Sequence, residues 1–302
     1  MAVLRTACIL SRFLLDGARP LARAPHHPEP ARWPDDRITG AWLGHSTILF
    51  NFFGLWIITD PVLAVRCGLR FGPLTIGPRR RVRPALTARQ LPGIDLLLLS
   101  HAHMDHLDIW TLRRLPGRPH AVTAIGIRDL LLNMPFSGIT ELAWDQSAQI
   151  DTRHGSIQVT ARKVAHWGAR MRTDDWRGYC GFVTERNHRK IAFAGDTARI
   201  PFGHWANGND IDLLAIPIGA YNPWIASHCN PEEAVEMAAE AHARALLPIH
   251  HSTFQLSAEA MDEPLARFRA AMSDRVERIA ATEIGQTFSL PLTNQADQAR
   301  PM

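Results

Sequence analysis

Leu96-Leu97-Leu98-Leu99-Ser100-His101-Ala102-His103-Met104-Asp105-His106-Leu107-Asp108 is the stretch on which the reading of this chain turns. Four consecutive leucines after Asp95 predict a strand buried on both faces. The next nine residues carry three His and two Asp. A hydrophobic strand that ends in so many ligand-type side chains aims a polar loop at one point, and a cation there would draw them together. Imidazole and carboxylate without thiolate suit Zn²⁺, and less selectively Fe, Mn or Ni. The spacing differs from the helical His-Glu-x-x-His of metalloproteases. His101 and His103 alternate as on an extended chain and point the same way. Asp105 and His106 follow at the turn and can point to a second position, so one loop can serve two metals.

The chain has 302 residues, enough for one large domain or two small ones, and 46% of them are hydrophobic, ordinary for a soluble globular protein. No apolar run approaches the ~18 residues of a membrane-spanning helix. The formal net charge of +4 is compatible with anionic substrates or membrane surfaces without establishing either. Only Lys163 and Lys190 are lysines, so almost every basic residue is arginine, which reads mainly as genome composition. Cys8, Cys67, Cys180 and Cys229 are scattered and form no Cys-x-x-Cys pair. They read as free thiols in a cytoplasmic protein, one that could sit at the inner face of the membrane.

Val3, Ala7, Leu10 and Leu14 recur at helical spacing in the first fifteen residues, with Arg5 and Arg12 elsewhere on the wheel. A membrane-surface helix and a helix packed on the domain fit this equally. Residues 1–36 thus read as an amphipathic segment and a proline-rich arm, residues 37–290 as one domain and residues 291–302 as a tail. Strands are expected at 38–43, 47–53 and 55–59. After the metal loop, helices are expected at 109–115 and 127–133 and strands at 121–125 and 140–144. The pattern then restarts with strands at 157–164, 179–185, 190–194, 212–216 and 245–249. Helices are expected at 231–243, with Asn230 as N-cap, and at 258–271, with Ser257 as N-cap. Two halves of this kind fit an α/β sandwich of two facing sheets with helices outside. The basic run Arg79, Arg80, Arg81 and Arg83 reads either as a solvated loop or as a phosphate contact.

The motif Ser100–Asp108 resembles the signature of the metallo-β-lactamase superfamily. The remaining ligand positions of that family can be matched in order: His166 after Val164-Ala165, Asp196 in Ala194-Gly195-Asp196-Thr197, and His250 after Pro248-Ile249. The blocks Trp42–Thr47, Thr59-Asp60-Pro61, Gly77–Arg80, Ala215–Tyr221 and His228–Ala234 resemble one branch, the N-acylphosphatidylethanolamine-hydrolysing phospholipases D and their bacterial relatives. The resemblance implies an αββα sandwich and two Zn²⁺ per chain, with Fe or Mn as alternatives. His101, His103 and His166 would hold one ion, Asp105, His106 and His250 the other, and Asp196 would bridge them. Asp105, Asp196 and His228 are the candidate catalytic residues. His45, Asp60, Asp108 and Tyr221 are expected around the ligands or facing the substrate. His251 stands where the branch usually has Trp, a departure expected to alter the wall of the pocket.

The leading expectation is a phosphodiesterase acting on N-acyl phospholipids or related glycerophosphodiesters, through a hydroxide shared by two cations. A lactone or other carboxylic ester is the alternative substrate, and a non-catalytic metal-binding or membrane-associated protein is the second alternative. A small-molecule or lipid partner is expected; peripheral membrane contact and a homodimer are open. Nucleic acid is not expected, because the basic residues show no interleaved aromatic platform.

Overall fold

The computed structural model describes residues 20–72, 74–206, 208 and 210–291. The helix expected in the first fifteen residues, Cys8 and most of the expected tail lie outside them. Two sheets form the frame. In the first, β1 (Ile38–Gly44), β2 (Thr47–Phe52) and β3 (Leu55–Thr59) pair antiparallel, and β3 is followed by β6 (Ile94–Leu99), β7 (Gly117–Ala124) and β8 (Gly138–Leu142), all parallel. In the second, β9 (Ser147–Thr152), β10 (Gly155–Arg162), β11 (Gly181–Arg186) and β12 (Arg189–Phe193) pair antiparallel, and β13 (Ile211–Pro217) and β14 (Ala243–Ile249) add in parallel. The short β15 (Thr287–Ser289) returns to the edge of the first sheet beside β1. A separate hairpin of β4 (Leu69–Phe71) and β5 (Leu74–Ile76) stands apart from both sheets.

Strand alternation divides the core. Successive side chains of a strand point to opposite faces. In β12, Ile191 and Phe193 join the layer between the sheets, while Ala192, and Ala194 just past the strand's end, face outward. In β13, Leu213 and Ala215 point in, and Leu214 and Ile216 point out. The outer side is covered by α4 (Pro231–Glu240) and α5 (Glu263–Met272), which contribute Ala234, Met237, Phe268 and Met272. Both faces of these strands are therefore buried, as their unbroken apolar runs require. The shorter helices α1 (Ile109–Leu112), α2 (Arg128–Leu131) and α3 (Gly203–Ala206) fill loops.

Asn230 caps α4 as expected: its side chain accepts from the Glu233 amide, and the Glu233 carboxylate accepts from the Asn230 amide. The last helix differs from expectation. It starts at Glu263, not beside Ser257. Glu259 explains the delay. Its buried carboxylate accepts from the amides of Ala220 and Asn222, which ties 257–262 to another loop and keeps it out of the helix. The proline-rich arm is extended and pinned to the body, with Ala22 bonded to Arg81 and Arg83 and with Trp33 stacked on Trp56 at 5.6 Å.

Strand polarity positions the site. β1, β3 and β6 run the same way, and so do β10, β12, β13 and β14. The carboxyl ends of the first set lead into His45, Asp60 and the Ser100–Asp108 loop. Those of the second set lead into His166, Asp196, Ala220 and His250. Phe268 is fully buried where α5 meets the second sheet. Phe268→Ala is expected to lower unfolding free energy in urea by about 3–5 kcal/mol; a loss below about 1 kcal/mol would contradict this packing.

Candidate metal centre

His101, His103 and His166 form one cluster and His45, Asp105, His106 and His250 another, each with ligand atoms within 4.8 Å of one another. His103 Nδ1 lies 2.9 Å from His101 Nε2 and 3.2 Å from His166 Nε2. Asp196 Oδ2 lies 3.1 Å from Nε2 of both His106 and His250, and 3.7 Å from His166 Nε2. It is the group that reaches both clusters. Asp105 Oδ2 lies 3.5 Å from His250 Nε2 and 3.6 Å from His106 Nε2.

The donor bookkeeping shows which atoms are free. Ser100 Oγ donates its one proton to Asp60 Oδ2 at 2.5 Å, so it must accept from His101 Nδ1–H at 2.9 Å. His106 Nδ1–H donates to Asp60 Oδ2 at 2.7 Å, and His166 Nδ1–H donates to the Ser227 carbonyl at 3.0 Å. In the neutral rings, Nε2 of His101, His106 and His166 is therefore a bare lone pair. His103 Nδ1 faces two of these lone pairs and carries at most one proton, so at least one close contact is left for a cation to relieve.

Other atoms lead to the same reading. Asp196 Oδ1, His228 Nδ1 and His250 Nδ1 are buried and make no hydrogen bond, against the rule that buried polar groups find partners, and Nε2 of His106 and of His250 meets the carboxylate oxygens of Asp105 and Asp196. Ligands about 2.0–2.1 Å from a tetrahedral Zn²⁺ stand about 3.3 Å apart, which the observed separations approach. The residues present fit a metal centre.

Electrostatics point the same way. Burial holds His101 and His103 in the neutral form and pushes His45 and His166 down to about 3 and His228 down to about 4. Burial also opposes charge on His106 and His250, yet Asp196 and Asp105 raise both. Against the same burial, His106 and His250 hold the carboxyls of Asp105 and Asp196 well below the ordinary range. Without an ion, protons on two ligand histidines balance two buried carboxylates, and metal binding displaces them.

The backbone is bent to make this arrangement. His45, Asp60, Ala220 and His250 all have positive φ, between 31° and 66°, a region that costs non-glycine residues energy and gathers at functional sites. Gly195, at φ 62°, has no such choice, because a Cβ there would sit 2.6 Å from the Ser100 Cβ. Arg170 steadies the metal loop through one nitrogen, which donates to the carbonyls of Ala102 and Leu107.

Asp105, Asp196, His228 and His250 line an open cavity of about 220 Å³, together with Trp167, Trp224 and Leu256. The surrounding residues divide. His45 Nε2–H donates to Asp105 Oδ2 at 3.0 Å, and Asp60 supports His106 and, through Ser100, His101. Asp108 and Tyr221 do not reach the centre. Asp108 caps α1, accepting from the amides of Trp110 and Thr111, because the loop ends where that helix begins. The Tyr221 hydroxyl donates to Glu263, and its ring faces Arg267 on α5. His251 is buried, stacked on Trp42 at 4.5 Å, and lines no wall of this cavity. Arg80 is buried too, its guanidinium bonded to the Val62 carbonyl beside Phe254, so it is neither a solvated loop residue nor a phosphate contact. Ser100 and Trp224 gained no role from sequence; the place of Ser100 directly before His101 was the available signal.

The family model of the beta-lactamase superfamily domain matches residues 55–251, well over half of the chain. The chain belongs to the metallo-β-lactamase superfamily. An uncharacterised Mycobacterium tuberculosis protein is 34% identical over 290 residues, covering 89% of this chain and 75% of that one. N-acyl-phosphatidylethanolamine-hydrolyzing phospholipase D 1 of Caenorhabditis elegans is 30% identical over 250 residues, covering 78% and 69%. Among solved structures, an isothiocyanate hydrolase from Delia radicum gut bacteria aligns with a TM-score of 0.65 at 16% identity, covering 84% of this chain and all of that one, which supports the fold alone. The chain is a metal-dependent hydrolase of this superfamily with a candidate His/Asp metal-binding cluster.

Asp60→Asn keeps the size but weakens acceptance from His106 and Ser100. It is expected to weaken metal binding about 10- to 100-fold in a chelator-competition titration. Tyr221→Phe is expected to leave it unchanged. Equal effects of the two would contradict the network.

Proposed function

We propose that the protein is a two-zinc phosphodiesterase of the phospholipase D type, acting on N-acyl phospholipids or related glycerophosphodiesters. The observation that carries this is the join between the two His/Asp clusters at Asp196, beneath a cavity in a chain 30% identical to a phospholipase D named for such a substrate. His101, His103 and His166 would hold one ion, Asp105, His106 and His250 the second, with Asp196 between them. Bound there, a pair of divalent cations lowers the pKa of water from about 15.7 to about 7 and offsets negative charge on the ester oxygens.

The chain's own residues do the rest. Asp60 and Ser100 fix the ring orientations of His106 and His101, so that the lone pairs stay aimed at the centre. His45 holds Asp105 in place. His228 lines the cavity with Nδ1 unpartnered and 3.8 Å from Asp196 Oδ2. Kept neutral by burial, it would offer a ring N–H as a hydrogen-bond donor to an oxygen of the bound ester, stabilising charge there without giving up the proton. Trp167, Trp224 and Leu256 line the cavity with apolar surface suited to an acyl chain. The same lining equally suits a lactone, the second reading.

The test is the metal-loaded protein offered N-acylphosphatidylethanolamine, bis(4-nitrophenyl) phosphate and a series of lactones. The expected result is a higher kcat/KM on the phosphodiesters, lost with chelator, and about two zinc per chain by mass spectrometry. Turnover of lactones alone would replace the reading with the second one, and turnover of nothing would end both. His228→Gln is expected to lower kcat about a hundredfold or more with metal content unchanged; loss of an ion instead would make His228 a ligand.

A further inference from the structure

The edge of the sandwich that holds the metal centre is also the apolar edge of the molecule. Fourteen large apolar side chains are exposed among the described residues, and only Leu132 and Val276 fall outside segments that leave the carboxyl end of a strand directly. The densest group is the β4–β5 hairpin. Leu69 pairs with Ile76 and Phe71 with Leu74, so strand alternation puts all four on one face of the ribbon. Phe71 and Leu74, at the turn, are each 60% exposed. No layer of the described protein covers this face.

The base of the hairpin is fixed beside the site. Cys67 packs with Val62, Phe254 and Leu256, and Leu256 lines the cavity over the metal centre. The charged residues of the segment that carries the hairpin have one sign: residues 61–94 contain seven arginines, of which Arg80 is buried, and no aspartate or glutamate. Arg70 and Arg83 are exposed there. Exposed apolar side chains on a segment whose only charged residues are cationic match the interface of an anionic bilayer. A second copy of the chain fits less well, because a two-fold contact would bring like-charged segments together.

We propose that the apolar face of this hairpin inserts into the head-group layer of an anionic membrane and docks the mouth of the cavity against the bilayer. Its purpose rests on the lipid phosphodiesterase reading, but its occurrence is measurable without turnover. The metal-loaded full chain and the double variant Phe71→Ser/Leu74→Ser would be sedimented with vesicles of equal parts phosphatidylcholine and phosphatidylglycerol. The variant is expected to partition about tenfold more weakly or worse, with unchanged thermal unfolding and unchanged cleavage of bis(4-nitrophenyl) phosphate. Wild-type binding is expected to fall with added salt and on pure phosphatidylcholine. Equal partitioning of variant and wild type would overturn the proposal. So would binding that disappears only when residues 1–19 are removed, or a dimer that the double variant dissociates without changing vesicle binding. Vesicle binding without phosphodiester cleavage would leave the docking intact and end the catalytic reading; cleavage without vesicle binding would do the reverse.

Discussion

The carboxylate of Asp60 is fully buried and takes three hydrogen bonds, from the Ser100 amide, from the Ser100 hydroxyl and from His106 Nδ1. Through Ser100 it also sets the tautomer of His101. One anion at the end of β3 thus orients one candidate ligand in each cluster. It sits in a strained left-handed conformation, held by its amide to the Leu98 carbonyl and by its own carbonyl to the Thr47 hydroxyl. Burial works against its charge, and the donors around it oppose that effect. Remove this group and three buried donors lose their acceptor at once, a costly outcome in a low-dielectric interior.

What Asp60 organises from one sheet is completed from the other. The loop after β6 supplies His101, His103, Asp105 and His106; the ends of β10, β12 and β14 supply His166, Asp196 and His250. The ligand atoms meet because these strands share a direction within their sheets and the apolar layer between the sheets fixes one against the other. The centre is therefore a product of the whole sandwich. Neither sheet alone carries enough lone pairs to hold two ions, and rigid strand ends position side chains more closely than free loops could.

Much of this is legible in sequence where one force dominates. The leucine run of β6, the apolar runs of β12 and β13 and the Asn230-Pro231 cap of α4 each declare a single outcome, and the strands lie within a few residues of expectation. Errors arise where distant contacts decide. β9, Ser-Ala-Gln-Ile-Asp-Thr, is mostly polar and exposed, and only pairing with β10 makes it a strand. β15 has three residues and needs β1 as a template. Residues 257–262 look helical until Glu259 is taken by the backbone of Ala220 and Asn222. At the site, His and Asp in family order come together as sequence suggests. Asp108 and Tyr221, which end the two resembling blocks Ser100–Asp108 and Ala215–Tyr221, are instead occupied by a helix end and a surface ion network. The parts that act through a second residue, Ser100, Arg170 and the Ser227 carbonyl, carry no chemical signature of their own in the chain.

The claim beneath all of this is that Asp196 stands between two cation sites built from both sheets. Anomalous diffraction from crystals of the zinc-loaded protein measures it most directly. Two peaks about 3.5–4 Å apart, one among His101, His103 and His166 and the other among Asp105, His106 and His250, with Asp196 touching both, are the result this account requires. A single peak that Asp196 does not touch, or none beside these residues, would contradict it.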